Sequence, residues 1–233
     1  MVARGPFAHL RYQFATGVPA GDLVTIRSEP GEVVLCHRSF TSITGTVASL
    51  VSAIILAAGA ASAIFLVAEK QILGASAAVM LTTVFSLFVA LMVPRINVAL
   101  YQDRNPVLTL WQQSVFPSSS WLIATAEGTP IALLRRSLPS RMGSSRWTIT
   151  QDGRYVGELR EVGYARAIVR KVLGKFSRRY ETDMVLEYGG LLAACIIRRP
   201  GPNGSADVLE IISDTLDRRL AVGAAAIIFG REP

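Results

Sequence analysis

Two uncharged runs lie almost end to end near the start of this chain. From Ile43 to Ala68 there are 26 residues without a charge and from Gln71 to Val93 another 23, with only Glu69 and Lys70 between them. At helical rise the runs reach about 39 and about 34 Å, enough for a hydrocarbon core of about 30 Å. Apolar runs of this length argue for membrane spans over buried core helices. A signal peptide fits worse, because the first run begins 42 residues in, exceeds an h-region and is followed at once by a second. A two-residue gap forces an antiparallel turn, so residues 43–93 read as a transmembrane helical hairpin with spans 43–68 and 71–93.

Basic residues near the spans set the orientation. Arg27 and Arg38 precede the first and Arg95 and Arg104 follow the second, while the turn holds Lys70 beside Glu69. The expected location is therefore the cell membrane, two-pass, with both termini cytoplasmic. Small residues recur every four positions at Ala53, Ala57 and Ala61, with Gly59 and Ala63 beside them, and again at Gly74 and Ala78. That spacing lets helices approach closely, either within the hairpin or between copies of the chain as a homo-oligomer. No ionisable residue interrupts either span, which speaks against a proton relay or ion path.

The whole chain of 233 residues is 51% hydrophobic and only 18% charged, with a formal charge of +7. This excludes a disordered protein. Two cysteines, Cys36 and Cys195, are too few for a disulfide framework and suit a reducing compartment. Cys36 is juxtamembrane, so it reads as an acylation site or as a plain buried thiol. Residues 94–233 carry 19 Lys and Arg against 13 Asp and Glu and read as one cytoplasmic domain, while residues 1–42 form an N-terminal segment.

Inside 94–233 a unit recurs. Trp121 to Arg136 and Trp147 to Glu161 align through Gly128, Ile131, Ala132, Arg135 and Gly153, Val156, Gly157, Arg160; a looser copy spans Tyr180 to Arg198, with Gly190, Ala193 and Ala194. Each reads as a β-hairpin whose glycine serves a positive-φ turn. Strand alternation points Tyr155, Gly157 and Leu159 inward, with Val156, Glu158 and Arg160 outward; the earlier inward set is Pro130, Ala132 and Leu134. Small residues alternating with large ones on the inner face suit a narrow barrel around something slim. Leu216 to Phe229, apolar from Leu220 on, is too short to cross a bilayer and reads as a buried helix, with Ser213, Asp214 and Thr215 as N-caps; a short third membrane segment is the other reading. Leu23 to Arg38 repeats the offsets with Gly31, Val34 and Arg38. It reads as a hairpin that either joins the barrel from the far side of the spans or stands apart.

Strand-turn-strand units such as Asp152-Gly153-Arg154-Tyr155-Val156-Gly157, followed by an apolar helix opened by Leu216-Asp217-Arg218-Arg219, resemble the tubby-like superfamily of tubby proteins, phospholipid scramblases and LURP-one-related proteins. The resemblance covers about Pro106 to Phe229. It implies a closed antiparallel β-barrel of about twelve strands threaded by the C-terminal helix, and functions in phosphoinositide binding or lipid scrambling. Only Asp207, Glu210, Asp214 and Asp217 stand where scramblases carry an acidic stretch, and no calcium loop is present, so no metal is expected.

Gly163 to Arg179 reads as a basic amphipathic helix, with Ile168, Val169, Val172, Leu173 and Phe176 on one arc and Arg166, Arg170, Lys171 and Lys175 on the other; Arg178 and Arg179 extend the patch. Such a helix lies in the headgroup plane of an anionic leaflet or packs on the barrel with its basic face in water. Without stacking aromatics among the arginines, nucleic acid is not expected as a partner. Only His9 and His37 occur, no nucleophile, zinc or phosphate-loop motif is present, and Asn203-Gly204-Ser205 reads as a turn, so neither enzyme activity nor a cofactor is expected. The leading expectation is a membrane-anchored protein that binds or organises anionic phospholipid at the cytoplasmic leaflet. A membrane-tethered interaction scaffold is the alternative, and lipid scrambling a third.

Overall fold

The computed structural model of the chain describes residues 5–15, 22–29, 31–94, 96–142, 145–163, 183–201 and 204–229. Three strands come first: β1 (Arg11–Phe14), β2 (Val24–Ser28) and β3 (Val33–Thr41). Two long helices follow, α1 (Ile43–Ala68) and α2 (Ile72–Met92). Then come β4 (Ile96–Gln102), β5 (Asn105–Ser114), β6 (Ser119–Thr125), β7 (Pro130–Arg136), the short α3 (Leu138–Met142), β8 (Arg146–Gln151) and β9 (Arg154–Glu161). The last elements are β10 (Met184–Tyr188), β11 (Leu191–Gly201), β12 (Gly204–Ile211) and the C-terminal helix α4 (Arg218–Phe229).

The twelve strands pair antiparallel, neighbour to neighbour, and β1 pairs with both β2 and β12, so the sheet closes into a barrel. Of the two readings of Leu23 to Arg38, the structure has the one in which the segment joins the barrel: β2 and β3 are its strands, and β3 pairs with β4 across the two long helices. Closure removes the exposed edges that an open sheet would leave.

Leu220 to Ile228 of α4 are all buried, on every side of the helix, among inward side chains such as Leu110, Ile123, Leu134 and Ile196. A helix apolar all round is stable only where it is enclosed. Its slimness is needed: a Cβ on Gly223 would come within 3.0 Å of Ile123 Cδ1 and 3.3 Å of Leu110 Cδ2. The N-cap is Asp217, later than the expected Ser213 to Thr215, and its carboxylate accepts from the Arg219 amide at 2.9 Å. Asp214 instead pairs with Arg218, whose guanidinium also donates to the Ala8 carbonyl at 2.6 Å and ties the N-terminal segment to the base of the helix.

The repeat has a structural meaning. In five hairpins the residue closing the turn has positive φ: Gly31, Arg104, Gly128, Gly153 and Gly190. Three positions later the ladder skips one residue, at Val34, Val107, Ile131, Val156 and Ala193, and each skip is a β-bulge. Four of these bulged residues pack partly buried against the core, and the fifth, Ala193, is fully buried. The bulge corrects the strand-parity expectation. Gly157, Leu159, Ala132 and Leu134 are buried as expected, but Tyr155 and Pro130 lie before the bulge and face water, while Val156 and Ile131 turn toward the core. Glu158, expected in water, is buried between two arginines.

Helices α1 and α2 are each long and apolar enough to cross a membrane. They contact one another through Gly45, Ala48, Ser52 and Gly59 of α1 and Ala75 and Ser86 of α2, which are buried. A side chain at Gly59 would strike Thr82. Of the expected small residues Gly59 lies in this contact, while Ala53, Ala57 and Ala61 are exposed and do not serve the packing within the hairpin.

Candidate lipid-facing site

The barrel has two unlike ends. The five tight turns lie at one, together with residues 5–10 and the start of α4. At the other lie the links β3 to β4 through α1 and α2, β5 to β6, β7 to β8 and β9 to β10, as strand direction requires. This second end, the rim, carries the candidate surface.

The helices leave the rim with almost no slack. Ser42 alone separates β3 from α1, and Val93, Pro94 and Arg95 separate α2 from β4. The Ser42 hydroxyl accepts from the Gly45 amide at 3.0 Å, capping α1, and donates to the Pro94 carbonyl at 2.7 Å, which clamps the two connections together.

Along the rim β6, β7 and β8 frame a groove of about 440 Å³ lined by Pro117, Ser118, Arg135, Ser137, Leu138, Arg146 and Thr148. Its two arginines are not equivalent. Arg146 is held by Glu158 at 2.5 Å, and Glu158 also faces Arg160 at 4.0 Å, which reaches Glu187 at 2.6 Å. That ladder on the outer wall is neutral in sum. Arg135 instead donates to Ser118 Oγ at 3.1 Å and meets no carboxylate among the described residues, so its charge is available to an anion. Its neighbour Arg136 turns away, with its guanidinium 5.6 Å from the centre of the Trp147 ring and a 2.8 Å bond to Ser145 Oγ.

Sequence reasoning did not single out the apolar residues of the rim. Phe40, Trp111, Phe116 and Leu138 are each about two-fifths exposed. Phe40 and Trp111 stand in one cross-strand row, on either side of Asn97, and point outward. The signal was present in part: Phe40 lies two positions after Arg38 and three before the first uncharged run. The expected lipid-binding residues Arg166, Arg170, Lys171, Lys175, Arg178 and Arg179 lie outside the described residues. The residues flanking that segment meet at the rim, where the Val162 amide donates to the Asp183 carbonyl at 2.8 Å.

Among the described residues no three His, Cys, Asp or Glu side chains converge as a metal site. Cys36 and Cys195 are free and half-buried, and burial pushes both thiols up, away from the reactive thiolate. Burial pushes the His37 imidazole down to about 4, and its Nδ1 has no hydrogen-bond partner. Asp217 is raised by burial but lowered more by the side chain and amide of Arg219, which leaves its carboxyl below the ordinary range. A groove of about 420 Å³ on the wall of β2 to β4 is lined by Leu23, Val34, Cys36, Arg38, Tyr101, Asp103 and Arg104 among others. No protein-family model, no curated protein and no solved structure matches the chain.

Proposed function

We propose that this chain is a two-pass membrane protein whose barrel, held at the cytoplasmic leaflet with both termini on that side, binds or organises anionic phospholipid. The observation that carries the reading is the insertion of α1 and α2 between paired neighbours, β3 and β4, of a closed barrel. Two helices of bilayer length that begin and end at one rim bring that rim to one membrane face. The cationic lining supports the lipid part: Arg135 in the rim groove is available to an anion. Each Lys or Arg near an anionic leaflet contributes about 1 kcal/mol. In the sequence the basic segment Arg166 to Arg179 lies between Val162 and Asp183, which meet at that rim, and it belongs to this reading. So does the resemblance to the tubby-like superfamily, whose barrel-and-helix plan and lipid functions agree with it.

The register offers a direct test. Thr41 pairs with Ile96, so a short turn can replace residues 42–95 without moving a strand. The resulting barrel is expected to co-sediment with phosphatidylglycerol vesicles, to ignore phosphatidylcholine vesicles and to be released by salt. Binding indifferent to lipid charge and salt refutes the reading. A membrane-tethered scaffold is the second reading, favoured by the groove on the β2 to β4 wall, and capture of a protein partner by a barrel inert toward lipid selects it.

A further inference from the structure

Scattered exposed apolar side chains are ordinary on soluble proteins, so the exposure of Phe40, Trp111, Phe116 and Leu138 alone decides nothing. Their height above the spans does. Phe40 stands three residues before Ile43, the first residue of α1. Three extended residues cover about 10 Å, and a strand tilt of about 40° reduces the rise to about 8 Å. The headgroup layer outside a hydrocarbon core of about 30 Å is about 5–8 Å deep on each side. Trp111 shares the row of Phe40 across Asn97 and stands three residues before Ser114, the end of β5 at the same rim. With Ser42 alone between β3 and α1, and the Ser42 to Pro94 bond closing the gap, the barrel has no linker on which to stand away from the bilayer. Arg38 follows on the same outward face of β3, two residues further from the spans, and Arg135 lines the rim groove beside Leu138. Aromatic and aliphatic side chains at the level of the headgroups with arginines just beyond is the order that a bilayer interface favours.

From this we infer that the barrel rim is itself a membrane-docking surface: Phe40, Trp111, Phe116 and Leu138 are immersed in the headgroup layer of the bilayer that α1 and α2 cross. The inference rests on the membrane reading given above and adds the surface by which the barrel lies down on the lipid.

Tryptophan fluorescence tests it with the intact chain in phosphatidylcholine and phosphatidylglycerol vesicles. Trp121 and Trp147 are 1% and 2% exposed inside the barrel, so the emission lost in Trp111→Phe isolates Trp111. That component is expected to lose more intensity to lipids brominated near the headgroup end of the acyl chain than to aqueous iodide. Phe40→Trp in the Trp111→Phe background is expected to restore the same preference from across the row. Quenching by iodide and not by bromolipid overturns the inference and leaves the membrane reading intact, provided the chain stays with the vesicles in alkaline carbonate. Protection from both quenchers also overturns it, since the rim is then covered by protein, either a partner or a second copy. Release by carbonate removes the membrane reading and the inference with it.

Discussion

Gly223 offers the sharpest test of the enclosed helix. It lies in α4 facing Ile123 and Leu110, both without solvent exposure, and its missing Cβ would already stand 3.0 Å from Ile123 Cδ1 and 3.3 Å from Leu110 Cδ2. Gly223→Ala gains about 1 kcal/mol of helix propensity and loses a similar amount to that crowding, so its net effect is small. Gly223→Leu keeps most of the propensity gain but places three further carbons where β5 and β6 already fill the space. Overpacking of that kind costs about 1–3 kcal/mol. For a chain of this length the melting temperature should fall by about 2–4 °C for a net loss of about 1 kcal/mol. Thermal unfolding of the purified protein in detergent, followed by the emission of the buried Trp121 and Trp147, reads the change. A helix lying on the barrel or in lipid predicts the opposite sign, because leucine is then both a better helix former and a better apolar contact. A Gly223→Leu variant that melts at or above the wild-type temperature refutes the enclosure.

The remaining expectations concern the barrel wall and its charge. His37 is buried with its pKa pushed down to about 4 from 6.5, so the unfolded chain takes up the proton first. Its contribution is therefore present in full above about pH 6.5 and lost as pH falls toward 4, up to about 3 kcal/mol; denaturant titrations across that window should show the loss, and His37→Phe should flatten it. Gly157→Ala should destabilise by about 3 kcal/mol, because a Cβ there would strike the Glu187 carbonyl oxygen on β10, which is backbone and cannot swing aside. A melting curve within about 2 °C of wild type would contradict that close approach. Arg104 closes its turn at φ 73°, where the other four hairpins have glycine. Arg104→Gly should relieve about 1–2 kcal/mol of left-handed strain against about 0.5–1 kcal/mol of added chain entropy, a small rise in melting temperature.

Much of this architecture was legible because its signals are local. The two uncharged runs needed only a count, and their observed bounds, Ile43–Ala68 and Ile72–Met92, differ from the expected 43–68 and 71–93 by a residue at the ends of the second. The turn glycines and the aliphatic residue three positions on marked four hairpins. The fifth, β4 with β5, went unseen because Asp103 and Arg104 supply the left-handed turn without a glycine. Strand parity failed at Tyr155 and Pro130 for a related reason: a one-residue bulge shifts the faces, and alternation carries no mark of where the shift falls. The rim was the least legible part. Phe40 and Trp111 are far apart in the chain, and only the β3 to β4 to β5 register brings them into one row beside the helices. The contact face between α1 and α2 was legible only in part, since a run rich in small residues offers several faces and only Gly59 against Thr82 selects one.

The seam of the barrel has a consequence for how the chain folds. Arg11 pairs with Glu210 and Phe14 with Asp207, so the ring cannot close until residues from opposite ends of the described chain meet. The hairpins between them are local and can form early, on the microsecond scale of such turns. Closure is the non-local step, and the loop entropy it must overcome makes it slow. Until it occurs, β1 and β12 are open edges and α4 has no enclosure, so the partly folded protein offers a strand template and an uncovered apolar helix at the same time. Insertion of α1 and α2 into a bilayer would confine the segments on either side to one plane, reducing the space that the two edges must search.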